Sequence, residues 1–276
     1  MKINTIGCIL LLASASFCSC GPDGKVNRAV AEPQSNGLAA LGKDTIVYKI
    51  AHFKEFSPYF SGSDEQLDST TFTASYPIFS PELNKLVKNA LLLNGEDSIS
   101  QVAESFITGF NEYAEDEIQA GTKGIHCWFQ KQDTRVVLNT GRFLTLANSL
   151  SEYTGGAHGM EAELWFNYDL LNSRQLALSD LIVDTTGLKK ATERYFRKHE
   201  KLKDSDSFGA GYFFANDNFA LAENFGFTKD GLLFHYNVYE IKAYSEGATT
   251  IVVPYTELKG LLTETGNQLV ESLFKK

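Results

Sequence analysis

The stretch Leu150–Leu170, LSEYTGGAHGMEAELWFNYDL, decides how this chain is read. After its glycines, Ala162, Leu164, Phe166 and Tyr168 share one face of an extended segment, and Glu161, Glu163, Trp165 and Asn167 share the other. A second alternating segment precedes it. Between the two lie Gly155, Gly156, His158 and Gly159. Adjacent glycines open backbone angles closed to other residues, so the stretch predicts two strands joined by a sharp link. His158 leaves three readings open: a structural hairpin or bulge, a binding loop, or an acid–base catalyst, since an imidazole titrates near neutrality. Catalysis needs a second group aimed at the histidine, and the sequence names none.

Upstream, residues 124–153 keep period two and read as two or three strands, broken near Asp133 and Gly141. The clearest helix runs from Asp97 to Gln119. Ile99, Val102, Ala103, Phe106, Ile107, Phe110, Tyr113 and Ala114 recur on it at three- and four-residue steps. The acidic cluster near Asp116 is expected on its solvated face. Ser80 and Pro81 open a shorter helix. Before that come two strands, TIVYKIAHFKEF and TTFTASYPIF, the second expected to stop at Pro77 and Pro81.

Downstream there is a turn at Asn172-Ser173, a short strand and a basic helix from Thr185 or Thr186. Then follow an irregular aromatic stretch at 208–219, a hairpin turning at Lys229-Asp230-Gly231, a last strand and a short helix from Tyr255 to Leu262. The class expected is α+β, antiparallel sheets with helices packed on one side, in two subdomains, 44–140 and 141–276.

Residues 1–19 read as a lipoprotein signal peptide: Lys2, an apolar run too short to span a bilayer, then small residues. Cys20 follows as the expected lipidation site, with simple cleavage near Ser16 or an uncut anchor as alternatives. The Gly-, Pro- and Ala-rich residues 20–43 read as a flexible tether. The expected location is therefore the cell envelope, exported and held at the membrane by a lipid. Of the four cysteines only Cys127 lies in the folded body, which excludes an internal disulfide framework; beside Trp128 it is expected to be a buried, inert thiol.

A net charge of -9 argues against nucleic acid and suits a cationic partner. The segment Gly187–Lys203 runs the other way, with seven Lys or Arg against two Glu, and is expected to be a solvated helix face, with a contact for anionic polymer or headgroups as the alternative. The chain has no GxSxG, phosphate loop, HExxH or CxxC, and its five histidines show no ligand spacing. No cofactor and no metal are expected.

The run YTGGAHG, then Tyr168-Asp169-Leu170, then Leu176, Leu178, Asp180 and Leu181, resembles the extracytoplasmic domain of RsiV-like lysozyme-sensing anti-sigma factors. The same domain accompanies the catalytic module of PdaC-type peptidoglycan deacetylases. Upstream, SYPIF and ELNKLV resemble the companion domain of those proteins, so the likeness covers most of Ile46 to Leu262. It implies an envelope-facing binding part without the deacetylase module or the cytoplasmic part. The expected function is a lipid-anchored binding protein whose partner is a lysozyme-like protein or cell-wall glycan, and no enzyme. Tyr153, Gly155, Gly156, His158, Glu161 and Trp165 are its candidate binding residues. The alternatives are an envelope hydrolase using His158, or a structural lipoprotein docking through an exposed apolar patch at Trp165 and 208–219.

Overall fold

The structure, a computed structural model, describes residues 45–60 and 69–274. The expected signal peptide, the tether and Cys20 lie outside the described residues. Six strands form the first sheet in chain order: β1 (Lys49–Phe60), β2 (Ser69–Ile78), β3 (Phe129–Asn139), β4 (Phe143–Tyr153), β5 (Met160–Asp169) and β6 (Arg174–Gln175). Every neighbouring pair is antiparallel except β2–β3, so the sheet is mixed rather than wholly antiparallel. The exception follows from what lies between those strands. Parallel neighbours need a long crossover, here built from α1 (Pro81–Leu86), α2 (Lys88–Leu91) and α3 (Ile99–Gln119).

The expected stops behave in different ways. Ser80 caps α1, with Pro81 in its first turn, and Ser98 caps α3 by accepting from the Gln101 amide. Pro77 does not end β2, which runs on to Ile78. The β2–β3 pairing covers only Thr71–Ser75, so the proline lies beyond the stretch where a missing N–H would break that ladder. Asp133 does not interrupt β3 either. The register shift comes later, between Val136 and Leu138.

One face of this sheet is buried under the helices. α3 turns Ile99, Ala103, Ile107, Phe110 and Ala114 inward, and Phe72, Leu144, Leu146 and Tyr168 meet Val87 and Ala90 from the sheet side. Cys127 is buried beside Phe110, and Trp128 stacks on Tyr113 at 5.3 Å.

The second sheet holds β7 (Phe225–Phe227), β8 (Leu232–Tyr236) and β9 (Thr249–Val253), all antiparallel. α4 (Thr185–His199) packs on β9, with Leu188, Ala191 and Phe196 buried and Lys189, Lys190 and Lys198 exposed. Phe196 is the hub. The rings of Phe208, Tyr212, Phe214, Phe219 and Tyr236 surround it at 5.3–6.1 Å, mostly edge to face. This corrects the expected exposed patch: in 208–219 the rings of Phe208, Phe214 and Phe219 are core, and Phe213 stays outside. A helix absent from the sequence reading, α5 (Glu264–Phe274), follows a short 3-10 turn at Tyr255–Leu258.

The expected division between residues 140 and 141 falls in the β3–β4 turn, and the two strands pair along almost their whole length. Leu138 and Phe143 flank that turn yet belong to the second core, with Phe196. Side-chain amides also tie the two sheets. Asn237 accepts from the Glu163 amide at 2.7 Å, Asn224 accepts from the Trp165 amide at 2.8 Å, and both donate to the Glu163 carbonyl. They occupy the side of β5 that the two-residue β6 leaves unpaired. Buried backbone groups need partners, and here Asn224, just before β7, and Asn237, just after β8, supply them.

Candidate functional site

The loop between β4 and β5 makes a tight link. Gly155 and Gly156 have φ of +101° and +91°, a left-handed region that strains other residues. The Tyr153 hydroxyl donates to the Gly156 carbonyl at 3.1 Å and closes the loop. Its ring stacks on Phe129 of β3.

His158 leaves this loop to meet the segment after β8. Its ring lies parallel to Tyr244, 4.1 Å between centroids and 16° between planes. Nδ1 contacts the Gly159 carbonyl at 2.9 Å, and Nε2 contacts the Tyr239 hydroxyl at 3.4 Å. A carbonyl only accepts, so Nδ1 is the donor in that contact. Tyr244 also donates to the Gly159 carbonyl at 3.0 Å. Tyr239 holds φ at +66°, uncommon for a side chain of its size, and is half exposed. The result is a trio of rings at the surface, with His158 and Tyr239 exposed and Tyr244 half-buried.

Beside it opens a cleft of about 420 Å³. Its floor and walls are the other face of the first sheet, with Lys131 and Asp133 from β3, Ser149 and Ser151 from β4, and Glu161 and Glu163 from β5. His235 and Asn237 close it from the second sheet. Val238 and Gly247, which also line it, flank the segment that carries Tyr239 and Tyr244.

Two titratable groups in the cleft are held in fixed states. Glu163 pairs with Arg135 at 2.8 Å and accepts from the Ser149 hydroxyl at 3.0 Å. Burial works to raise its pKa, but Arg135 and Ser149 outweigh it and hold the carboxyl below its usual range. His235 is buried, and burial pushes its imidazole below the ordinary value, partly opposed by Glu163. Its Nδ1 contacts the Thr250 hydroxyl at 2.8 Å. At neutral pH the cleft therefore holds the Glu163 carboxylate and the neutral His235 imidazole, beside the side chains of Asp133, Glu161 and Lys131, the Asn237 amide and two serine hydroxyls. Such groups recognise hydroxyls and amides, while the ring trio offers flat apolar surface.

The sequence candidates divide. Glu161 lines the cleft, His158 belongs to the ring trio and not to the cleft lining, and Gly155 and Gly156 shape the loop. Tyr153 braces that loop. Trp165 does not line this cleft. It faces a second cavity of about 440 Å³ with Leu176 and Phe225, under the Arg135 guanidinium. A side chain at Gly226 would collide with its ring. His235, Asn237, Tyr239 and Tyr244 escaped the sequence reading. His235 and Asn237 face one way on β8 and just past it, but that alternation alone carries no sign of what they meet. Among the described residues no three His, Cys, Asp or Glu side chains are placed to hold a metal ion.

The remaining motif residues are structural. Asp169 is fully buried, accepts from the Leu171 amide at 3.1 Å and from the Asn172 side chain at 2.7 Å, and faces Arg142. Asp180 accepts from the Ala177 amide and pairs with Arg174. Leu176 and Leu181 are core.

Two family models fit this layout. That of deacetylase PdaC matches residues 63–161, and that of a protein family of unknown function, DUF3298, matches 173–256. The chain carries a PdaC-like two-part domain. The matched regions meet in β5 and the turn after it, downstream of the expected division. The chain is 25% identical over 236 residues to the peptidoglycan-N-acetylmuramic acid deacetylase PdaC of Bacillus subtilis (strain 168), covering 82% of this chain and 46% of that enzyme. It thus spans about half the length of this curated relative. A crystal structure of a DUF3298-family member from Bacteroides fragilis superposes with a TM-score of 0.65 at 24% identity, over 85% of this chain and 100% of that one. One from Pseudomonas aeruginosa PAO1 gives 0.58 at 19%, over 84% and 97%. Both likenesses show the two-domain α+β fold.

Proposed function

We propose that this PdaC-like chain is a binding protein of the cell envelope that takes peptidoglycan-type glycan in the cleft beside the ring trio. One observation carries the reading: a cleft of about 420 Å³ lined by polar side chains, whose lining residues Val238 and Gly247 flank the segment that carries Tyr239 and Tyr244, with His158 packed against both rings. Sugars present hydroxyls and amides at their edges and C–H groups on their faces, and this site offers a partner for each. The PdaC relative, by its name, acts on a peptidoglycan sugar. That supports the same ligand class here. His158 serves as a binding ring, because its contacts are two tyrosines and a carbonyl rather than a nucleophile. Export and a lipid on Cys20 would hold the site at the envelope.

A second reading takes a lysozyme-like protein as the partner, favoured by the net charge of -9. Binding of the full chain to purified peptidoglycan and to lysozyme, in separate arms, decides between them. The expected result is retention on peptidoglycan, weakened about tenfold by Tyr244→Ala with the melting temperature nearly unchanged. Retention by lysozyme alone selects the second reading. No retention by either removes both.

A further inference from the structure

The strand register extends the floor of the cleft beyond its mouth. Residues directly opposite in neighbouring strands point to the same face. Through the pairs Lys54↔Thr73, Thr73↔Lys131, Lys131↔Ser151 and Ser151↔Glu161, one row crosses five strands on the face opposite α3. The last three residues of that row line the cleft. The first two continue it across β2 and β1, a further two strand spacings of about 4.8 Å each.

The outer part of this row has its own chemistry. Thr73 stands between two lysines, Lys54 on one side and Lys131 on the other, and both lysines are exposed. Among the described residues neither has a carboxylate partner. Lys54 rests over the Phe56 ring at 4.5 Å, which keeps its ammonium near the sheet. The adjacent row holds His52, Ser75 and Asp133, so one carboxylate lies beside Lys131. Two unpaired ammonium groups flanking a hydroxyl, on a chain of net charge -9, form a local reversal of sign. Opposite charge at short range is what holds a carboxylate.

We infer that Lys54, Thr73 and Lys131 form an anion subsite next to the cleft, for a carboxylate borne by the same wall polymer. This rests on the glycan reading above and deepens it: the ligand is an acidic polymer that lies across the strands, with its sugar in the cleft and its carboxylate over Thr73. The lysines supply charge and the threonine hydroxyl donates. The carboxylate belongs either to the sugar or to an attached peptide, and the chemistry of the subsite is the same for both.

The test is binding of the full chain to soluble peptidoglycan fragments in three forms: intact, stripped of peptide, and with all carboxylates amidated. Lys54→Ala/Lys131→Ala is expected to weaken binding of intact fragments about tenfold and to flatten the salt dependence. The amidated form should bind the parent and the double variant alike. If the tenfold effect persists on stripped fragments, the carboxylate is on the sugar. If it vanishes there, the carboxylate is on the peptide. Either result supports the subsite. Both lysines are exposed, so the variant is expected to fold, which an unchanged melting temperature checks. Equal binding of intact fragments by parent and variant, with Tyr244→Ala still weakening it, overturns the subsite and leaves the cleft reading standing. No binding of any fragment by the parent overturns the cleft reading itself.

Discussion

The two faces of the six-stranded sheet are built from alternate residues of the same strands, yet they do opposite work. On one face Phe72, Leu144, Leu146 and Tyr168 are shut under the helices. On the other, Thr73, Lys131, Ser149 and Glu163 meet solvent or line the cleft. At these positions the period-two geometry of a strand separates packing from recognition, while Phe143 and Asn167, further along the same outer face, pack against the second sheet.

The largest test of that separation is Phe72→Ala. The ring is fully buried, and its removal is expected to cost about 3–5 kcal/mol. Thr73→Ala, the next residue on the opposite face, is expected to change stability by no more than about 0.5 kcal/mol. Urea unfolding of both variants measures the contrast, and similar losses would break it.

A subtler test lies on the inner face. The Tyr168 hydroxyl is buried with no hydrogen-bond partner, and burial raises its pKa. An unsatisfied buried hydroxyl costs about 1–3 kcal/mol. Tyr168→Phe is therefore expected to leave stability unchanged or to raise it by about 1 kcal/mol. A clear loss would mean that the hydroxyl is satisfied after all.

The smallest effect concerns the cleft and acid. His235 has a folded pKa below its ordinary 6.5. As pH falls through 6.5 the unfolded chain takes the proton first, so stability declines from there. Glu163, held below its ordinary 4.5, contributes stability above that value and loses it as pH falls through its folded pKa. Both trends run the same way. In His235→Gln the decline beginning near 6.5 should shrink while the acid limb remains, as read by melting temperature against pH.

Much of the fold was legible in the residues. Ser80 and Ser98 cap helices, the α3 stripe is buried where its period placed it, and β5 shows the two faces its alternation gave it. Each depends on neighbours a few positions away. The failures have another origin. Pro77 reads as a stop but sits where β2 has already left β3. The rings of 208–219 look like a surface patch until Phe196 gathers them. In α5, a short segment with Gly266 in its first turn, the apolar stripe of Leu269, Val270 and Leu273 is too brief to declare itself.

By itself the sequence determined the local elements, the two faces of each strand and the glycine link at 155–156, because these follow from backbone sterics and side-chain period. The tertiary structure alone decided that β2 and β3 run parallel and that His158 meets Tyr239 and Tyr244. It alone placed Glu163 against Arg135, His235 and Asn237. Those partners lie 28 to 86 positions apart, by their numbers in the chain. Their meeting depends on strand register and on how one sheet docks against the other, and no short-range pattern encodes that.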